Sequence, residues 1–468
     1  MTPISFDNLT IQGVPYKKIL SVFITHSPNN HGWAKVVGQI DTSKAEDFLQ
    51  RIDETFGVEI TTSAEDQPKH LFYGILSNTT LEKQADFALL TIELKTSSSL
   101  LDAKKSKRTF QNTTKTYSQI LNDLDTVKRS GANIQIMVSD KAIGKLIMQY
   151  NETDWDFIIR MASQLGAPIF ADIISHEPQI YVGLPPAKQT KEISTISYNH
   201  NKDEGSYQSM SANTPAASSS LRDDFASEVV RSYACAYLGD TISFNGKSER
   251  VRSVSAQLID GLLEFTYSVS LQNSFIAPQV LNKQASGRIL TGRVKAVKAD
   301  RVQVFLHTID SDYDSSGDWW FPYSTAYSSQ DGSGWYSMPA VGDEVRVFFP
   351  SDNEGDAFAA SSITKNVRPD VTDKCWRGLN GKQILMTKEG LIIICKEGKL
   401  FINLTDQKGI EIISNLDINI TSGTQVNIQA ANEIKMIAKE RISIGTSQSN
   451  LEMRNDSITL TGEKIIIE

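Results

Sequence analysis

From Ile402 onward the chain repeats apolar residues on a period of eight: Ile402, Ile410, Ile418, Val426, Ile434, Ile442, Ile458 and Ile466. Two residues after most of these stand Leu404, Ile412, Ile420, Ile428, Met436, Ile444 and Leu460, and the residues between the pairs are often polar, as Asn403, Asn419, Asn427, Lys435, Ser443 and Thr459 are. A helix turns ~100° per residue, so side chains two apart would point ~200° apart and the stripe would drift ~80° per repeat. A strand puts residues i and i+2 on one face, and an even period keeps that face inward from repeat to repeat. The pattern predicts a β-helix. Eight residues at ~3.3 Å give ~26 Å of contour, too little for one chain to close a three-sided coil around a core that needs ~10 Å between sheets. Three intertwined chains, each giving one face per layer, meet that limit and pair every strand edge. The register fails once, where Asn450 and Glu452 fall on the apolar positions and Leu451 and Met453 stand one step out. A bulge or short loop is expected over Ser447 to Asn450. Upstream, Lys388-Glu389-Gly390 and Lys396-Glu397-Gly398 lie eight apart and are expected as corner turns, with glycine supplying a positive φ.

A chain of 468 residues can bury several cores, about three or four domains. The net charge of −8 does not favour binding to DNA or an anionic membrane surface. The cysteines, Cys235, Cys375 and Cys395, show no close pairing and no zinc spacing, which suits a reducing compartment. Met1 to Asp7 has no basic region followed by an apolar core, so no signal peptide is expected, and no apolar run approaches a membrane span. The expectation is assembly in the cytoplasm; if the protein leaves its cell, alone or as part of a phage-like particle, a route other than general secretion moves it.

Within residues 1–282, the stretch from Met1 to about Leu101 reads mostly as short strands, among them Lys18 to Ile24 and Phe87 to Leu94. Ser43 and Glu46 have capping-box spacing ahead of Ala45, Phe48, Leu49 and Ile52, with Gly57 beyond the end. Tyr117, Ile120, Leu121 and Leu124 form a second helical stripe. A third helix runs from Thr153 or Asp154 through Trp155, Ile158, Ile159, Ala162 and Leu165 to a stop at Gly166. Strands resume at Pro168 to Ala171, Gln179 to Val182 and Ile193 to Tyr198; Asp203 to Ser220 reads as a loop, and Val229 to Leu238 and Ser253 to Leu271 return to β pattern. Residues 286–365 hold five strand candidates: Ile289 to Val297, Arg301 to Thr308, Trp320 to Tyr323, Glu344 to Phe349 and Ala357 to Ile363. They suit a Greek-key barrel of the oligonucleotide/oligosaccharide-binding (OB) type. Residues 366–400, with Arg368-Pro369-Asp370, then form a linker and neck, and 401–468 the octad needle.

The run Gly334-Trp335-Tyr336, then Pro339-Ala340-Val341-Gly342-Asp343-Glu344-Val345 leading into an apolar strand, resembles the OB domain of contractile-tail spikes. These are the VgrG proteins of type VI secretion and the baseplate spikes of contractile phages and phage-tail-like injection particles. Trp319 to Tyr323 looks like that domain's third strand, and Tyr150 to Arg160 like the helix entry of the family's hub domain; Phe72-Tyr73-Gly74-Ile75 and Arg108-Thr109-Phe110-Gln111 fit further markers. The resemblance implies a mainly β fold. An N-terminal hub would hold two barrel-like subdomains with a few helices, followed by an OB collar and an intertwined triple-stranded β-helix needle. It implies a homotrimer whose six hub surfaces seat on a hexameric inner-tube protein of the Hcp type, with baseplate components and effectors as further partners. The membrane would be met only by mechanical piercing. A PAAR-type cap protein would cover the tip, Lys464, Ile465, Ile466, Ile467 and Glu468.

Enzyme chemistry finds little support. His26, His31, His70, His176, His200 and His307 show no ligand spacing, so no metal or cofactor is expected. Asp154 and Asp156 read as helix-start acids favoured by the dipole, and Cys235 as a core residue. Some spikes of the family carry a lysozyme-like domain after the collar or a toxin domain after the needle, and this sequence has room for neither. Seven basic against eleven acidic residues from Ser286 to Lys365 weigh against nucleic acid on the barrel. Trp319, Trp320 and Trp335 are expected in the core and collar contacts. The expected activity is a non-enzymatic spike that caps an inner tube and punctures a target envelope. The alternative is an envelope-degrading or glycan-binding tail protein of a phage-like particle.

Overall fold

The computed structural model describes residues 2–466 except 84–86, 188–189, 206, 209–225, 272–273, 312–317, 364–369 and 397–398. Most of the expected loop from Asp203 to Ser220, the linker residues Asn366 to Pro369, the Glu397-Gly398 turn and the tip residues Ile467 and Glu468 lie outside the described residues. The chain is mainly β and divides into two compact units, Met1–Lys365 and Asn366–Glu468. No helix is long and apolar enough to cross a membrane.

In the first unit, strands whose inward positions alternate with polar ones, as in Trp33–Ile40 and Ala88–Lys95, build a twelve-stranded sheet. The strand Lys18–His26 pairs with Lys247–Ile259, placing Phe23 opposite Gln257 and His26 opposite Val254, so that the two β halves run into one sheet. Lys247–Ile259 and Leu262–Ser270 are joined by a tight turn in which Asp260 and Gly261 both take positive φ. The β pattern from Ile193 to Tyr198 splits into Thr190–Glu192 and Ser197–Lys202.

A smaller helical layer, residues 97–182, has its own core around Tyr117, Leu121, Phe157 and Ile158. Its helix Asp154–Gln164 is capped by Thr153, whose hydroxyl accepts from Asp156 N at 3.1 Å. The expected box at Ser43 and Glu46 does not form. That helix is Thr42–Arg51, Asp41 stands at its N-cap without a side-chain bond, and Glu46 instead accepts from Lys83 Nζ at 2.6 Å. A capping box does occur at Thr116 and Gln119, ahead of Tyr117–Asn122.

Arg288–Lys298, Arg301–Phe305, Trp320–Ser324, Phe358–Ile363 and Glu344–Phe349 close into a barrel in that order, with Trp320–Ser324 and Phe358–Ile363 parallel. This is the OB-type Greek key. Its interior is Leu290, Val294, Val302, Val304, Phe321, Val345, Val347, Phe349 and Ala359, joined by Leu146 and Met148 of the helical layer.

The second unit begins as an antiparallel meander of Lys374–Arg377, Gln383–Met386, Gly390–Lys396, Leu400–Thr405 and Gly409–Ser414, so the expected linker and neck carries strands. Gly390 is not at positive φ; it is needed because a Cβ there would meet Leu404 O at 2.0 Å. A second meander follows in Arg441–Gly445, Asn450–Arg454 and Ile458–Thr461. Between the two, residues 415–440 belong to no strand. Yet the chain bends at 415–416, 423–424, 431–432 and 439–440, every eight residues, with straight segments between.

Candidate functional site

The apolar register of the second unit is uncovered. Ile410, Ile412, Ile418, Ile420, Val426, Ile428, Ile434, Met436, Ile444, Ile458, Leu460 and Ile466 are exposed, as are Ile402 and Leu404 to a lesser degree, while Ile442 is half-buried. Among the described residues none after Ala359 is buried. Isolated exposed apolar residues are ordinary, but a contiguous stripe of isoleucines is the mark of an interface. In the first meander the stripe is kept in line across strands, with Ile402 opposite Ile412 and Ile393, and Leu404 opposite Ile410 and Leu391. In the second, Ile442 faces Met453, which faces Ile458; Ile444 faces Leu451, which faces Leu460. The expected irregularity over Ser447 to Asn450 is a hairpin loop closed by the Gly445–Asn450 pair, in which Thr446 Oγ1 accepts from Gln448 N and Ser449 N. Of the tip residues, Lys464, Ile465 and Ile466 are exposed.

The OB motif is a clamp at the mouth of the barrel. Asp343 Oδ2 accepts from Ala340 N at 2.8 Å, and Gly342 at positive φ donates its N–H to Val294 O at 2.9 Å. Asp343 O accepts in turn from Val294 N, so the turn after Pro339 is pinned to the first strand. Val345 enters the core and Glu344 sits 3.5 Å from His307 Nε2. Gly334 is required by a close approach, since a Cβ would lie 2.4 Å from Tyr327 O. Trp335 is exposed in the single chain, as are Val341 and Tyr336, whose hydroxyl donates to Ala299 O. Trp319 and Trp320 are half-buried.

Two marker segments, Tyr150 to Arg160 and Arg108 to Gln111, meet at the joint between the helical layer and the barrel, while Phe72 to Ile75 lies in the strand His70–Lys83 of the large sheet. Arg160 is 3 % exposed; its guanidinium holds Glu152 through two bonds of 2.8 Å, Glu354 Oε1 through a third and Met148 O through a fourth. Asn282 Nδ2 also donates to Glu354 and to Met148 O. Burial keeps the Glu152 carboxyl above the usual carboxylate range despite Arg160. Asp310 accepts from Thr109 N and Oγ1, both at 2.6 Å, and Gln111 donates to Val304 O. Burial likewise raises Asp310, against the pull of the two Thr109 bonds. The cations of Lys107 and Arg288 both lie over the Tyr150 ring, 4.9 and 5.4 Å from its centroid. Asp154 stands in the first turn of its helix as expected and is also fully buried, accepting from Arg108 Nη2 at 2.7 Å, Gln149 and Thr126. Sequence reasoning missed this network because its partners are far apart in the chain; a Glu and an Arg eight residues apart around a helix start were the only local sign.

Elsewhere the chemistry is quiet. Among the described residues no group of three or more histidines, cysteines or carboxylates is placed to hold a metal. His31 packs on Trp155 with Nδ1 2.8 Å from Ser98 Oγ, and His176 stacks on Tyr73. Cys235 is buried, and that burial pushes its thiol up to about 12.

A family model described as the Alg8 N-terminal domain matches residues 8–204, less than half of the chain. No curated protein matches. Among solved structures, the chain is similar to the Escherichia coli c3393 protein, described as a component of the type VI secretion system with structural similarity to T4 bacteriophage tail proteins gp27 and gp5. The identity is 15 %, the TM-score 0.54, and the match covers 76 % of this chain and 99 % of that one. It is also similar to a chain of the lidded Francisella PdpA-VgrG complex, at 11 % identity, TM-score 0.54 and coverage of 84 % and 76 %. The half-lidded form of that complex matches at 10 % identity and TM-score 0.54, covering 88 % of each chain. The chain therefore has the fold of these type VI secretion and VgrG-complex chains.

Proposed function

We propose that three copies of this chain form the spike of a contractile injection machine, capping its inner tube and piercing a target envelope when the sheath contracts. The observation that carries this reading is the second unit. It holds no buried residue among those described, yet it displays an apolar stripe on a period of eight and bends on the same period. A segment so built cannot stand in water alone, and two further copies supply what it lacks: strands for its straight segments and isoleucines for its stripe. A rod whose segments over residues 415–440 are bonded to neighbouring chains resists compression there, because local unfolding requires all three chains to part. The twelve-stranded hub, made of two β halves per chain, is suited to offer six similar surfaces to a hexameric tube. A conical PAAR-type cap would cover the apolar end near Ile465 and Ile466. The proposed role is mechanical rather than enzymatic.

Sedimentation equilibrium of the full chain tests this reading. A single species of three chain masses is expected. A monomer at micromolar concentration would falsify it. Clear lysis of purified peptidoglycan in a zymogram would sink the non-enzymatic part.

A further inference from the structure

The octad fault at Asn450 and Glu452 coincides with a change in how the chain pairs its strands. Before it, residues 415–440 pair with no strand among the described residues. From Arg441 onward the chain folds back on itself twice. The hairpin closed by Gly445 and Asn450 puts Ile444 opposite residue 451 and Ile442 opposite residue 453. Those two positions carry Leu451 and Met453, while the in-phase positions 450 and 452 carry Asn and Glu. The next reversal is a two-residue turn, Asn455-Asp456, closed by Arg454 N donating to Ser457 O; it places Met453 opposite Ile458 and Leu451 opposite Leu460. Asn and Asp are residues such turns select. Glu452, on the opposite face, pairs with Arg454 at 2.6 Å. The one-residue slip is therefore what this hairpin register needs. A continuing eight-residue coil would instead turn Asn450 and Glu452 inward.

Resting on the trimer reading above, we infer that the intertwined part of the needle ends near Glu440. Beyond it each chain closes into its own three-stranded antiparallel meander. The face of Ile442, Ile444, Leu451, Met453, Ile458 and Leu460 is an interaction surface for the same face of the two other copies. The apolar stripe runs without a break from the unpaired segments into this face, so the copies that enclose the one enclose the other. Three such faces make a plug that locks the register of the chains: a strand bonded within its own chain cannot slide along a neighbour. Folding back also pairs within each chain the strand edges that a coil would leave open at its end.

The test is a cysteine pair at Ser443 and Glu452, which stand directly opposite each other. Opposite residues of an antiparallel pair lie ~4.5–5.5 Å apart, within the Cα range that a disulfide spans. Ser443→Cys and Glu452→Cys are placed together in the full chain carrying Cys375→Ser and Cys395→Ser, and the native protein is oxidised. The expected result is loss of both introduced thiols with single-chain bands on a non-reducing denaturing gel, from a sample that sediments as a trimer. Free thiols, or covalent dimers and trimers, from a trimeric sample overturn the meander while leaving the trimer standing. A monomeric sample overturns the trimer and this inference with it. A second variant guards against misfolding of the first: Asn450→Leu, Leu451→Asn, Glu452→Met and Met453→Glu together restore the octad phase. The melting temperature of the trimer is expected to fall; a rise refutes the plug.

Discussion

Replacing Ile420 by alanine isolates the force that would hold three chains together. In the single chain Ile420 is 73 % exposed, so nearly all of its burial must come from other copies. Enclosing a whole isoleucine is worth ~1.5–3 kcal/mol, so the exposed part is worth ~1–2 kcal/mol per chain. A threefold assembly loses this three times, ~3–6 kcal/mol per trimer, with a further cost for any cavity left on the axis. At ~1.4 kcal/mol per decade, the association constant should fall by ~10²–10⁴. Sedimentation of wild-type and Ile420→Ala chains over a dilution series reads this directly. Asn419→Ala serves as the control, since residue 419 points to the other face of the same segment. Equal effects from the two substitutions, or no change in dissociation for Ile420→Ala, would refute the claim that the stripe is the trimer core.

Three further outcomes follow from the first unit. Arg160→Ala leaves Glu152 and Glu354 buried without their cation and should cost ~3–5 kcal/mol, seen as a lower unfolding midpoint by calorimetry. Asp310 has its carboxyl raised by burial, so the folded state binds a proton more tightly than the unfolded one. Its stabilising contribution is full below the usual carboxylate range and is lost as pH rises through the raised value. The stability of wild type relative to Asp310→Asn should therefore decline from about pH 4 towards neutrality; a difference that grows with pH would contradict the assignment. Cys235, buried with its thiol pushed up to about 12, should resist maleimide at pH 7.5 until the chain is unfolded, as mass spectrometry of the labelled protein would show.

What the sequence disclosed follows how local each feature is. The barrel strand Glu344–Phe349 is found at its expected bounds, and Trp320–Ser324 within one residue, because alternation and turn residues are written into each short stretch. The clamp around Gly342 and Asp343 is likewise local. By contrast, Phe23 meets Gln257 and Arg160 meets Glu354 across most of the first unit, and no periodicity marks such pairs. Asp154 reads as a helix-start acid because its neighbours allow that, while Arg108 and Thr126, which make it a buried anchor, are separated from it in the chain. Ser43 and Glu46 show the reverse failure: the spacing is right, but the helix starts at Thr42 with Asp41 at its N-cap, so Ser43 lies inside it and no box closes.

The second unit adds a different lesson about what one chain can display. Phe321, Val345 and Phe349 are enclosed by residues of their own chain, so the barrel is complete as it stands. Ile418, Ile428 and Ile434 repeat as regularly as any core residues, yet they remain in solvent, and the bends between them keep the same period. Regularity without burial fits a core completed by other copies, as the proposed trimer supplies. If so, folding of residues 415–440 and association of the copies are one event, and the segment should gain amide protection from exchange only as the trimer forms. Hydrogen exchange on full-length protein above and below the trimer's dissociation range would read this. Strong protection of residues 415–440 in the dissociated chain would mean that the segment has a structure of its own, and the reading of an intertwined core would fall.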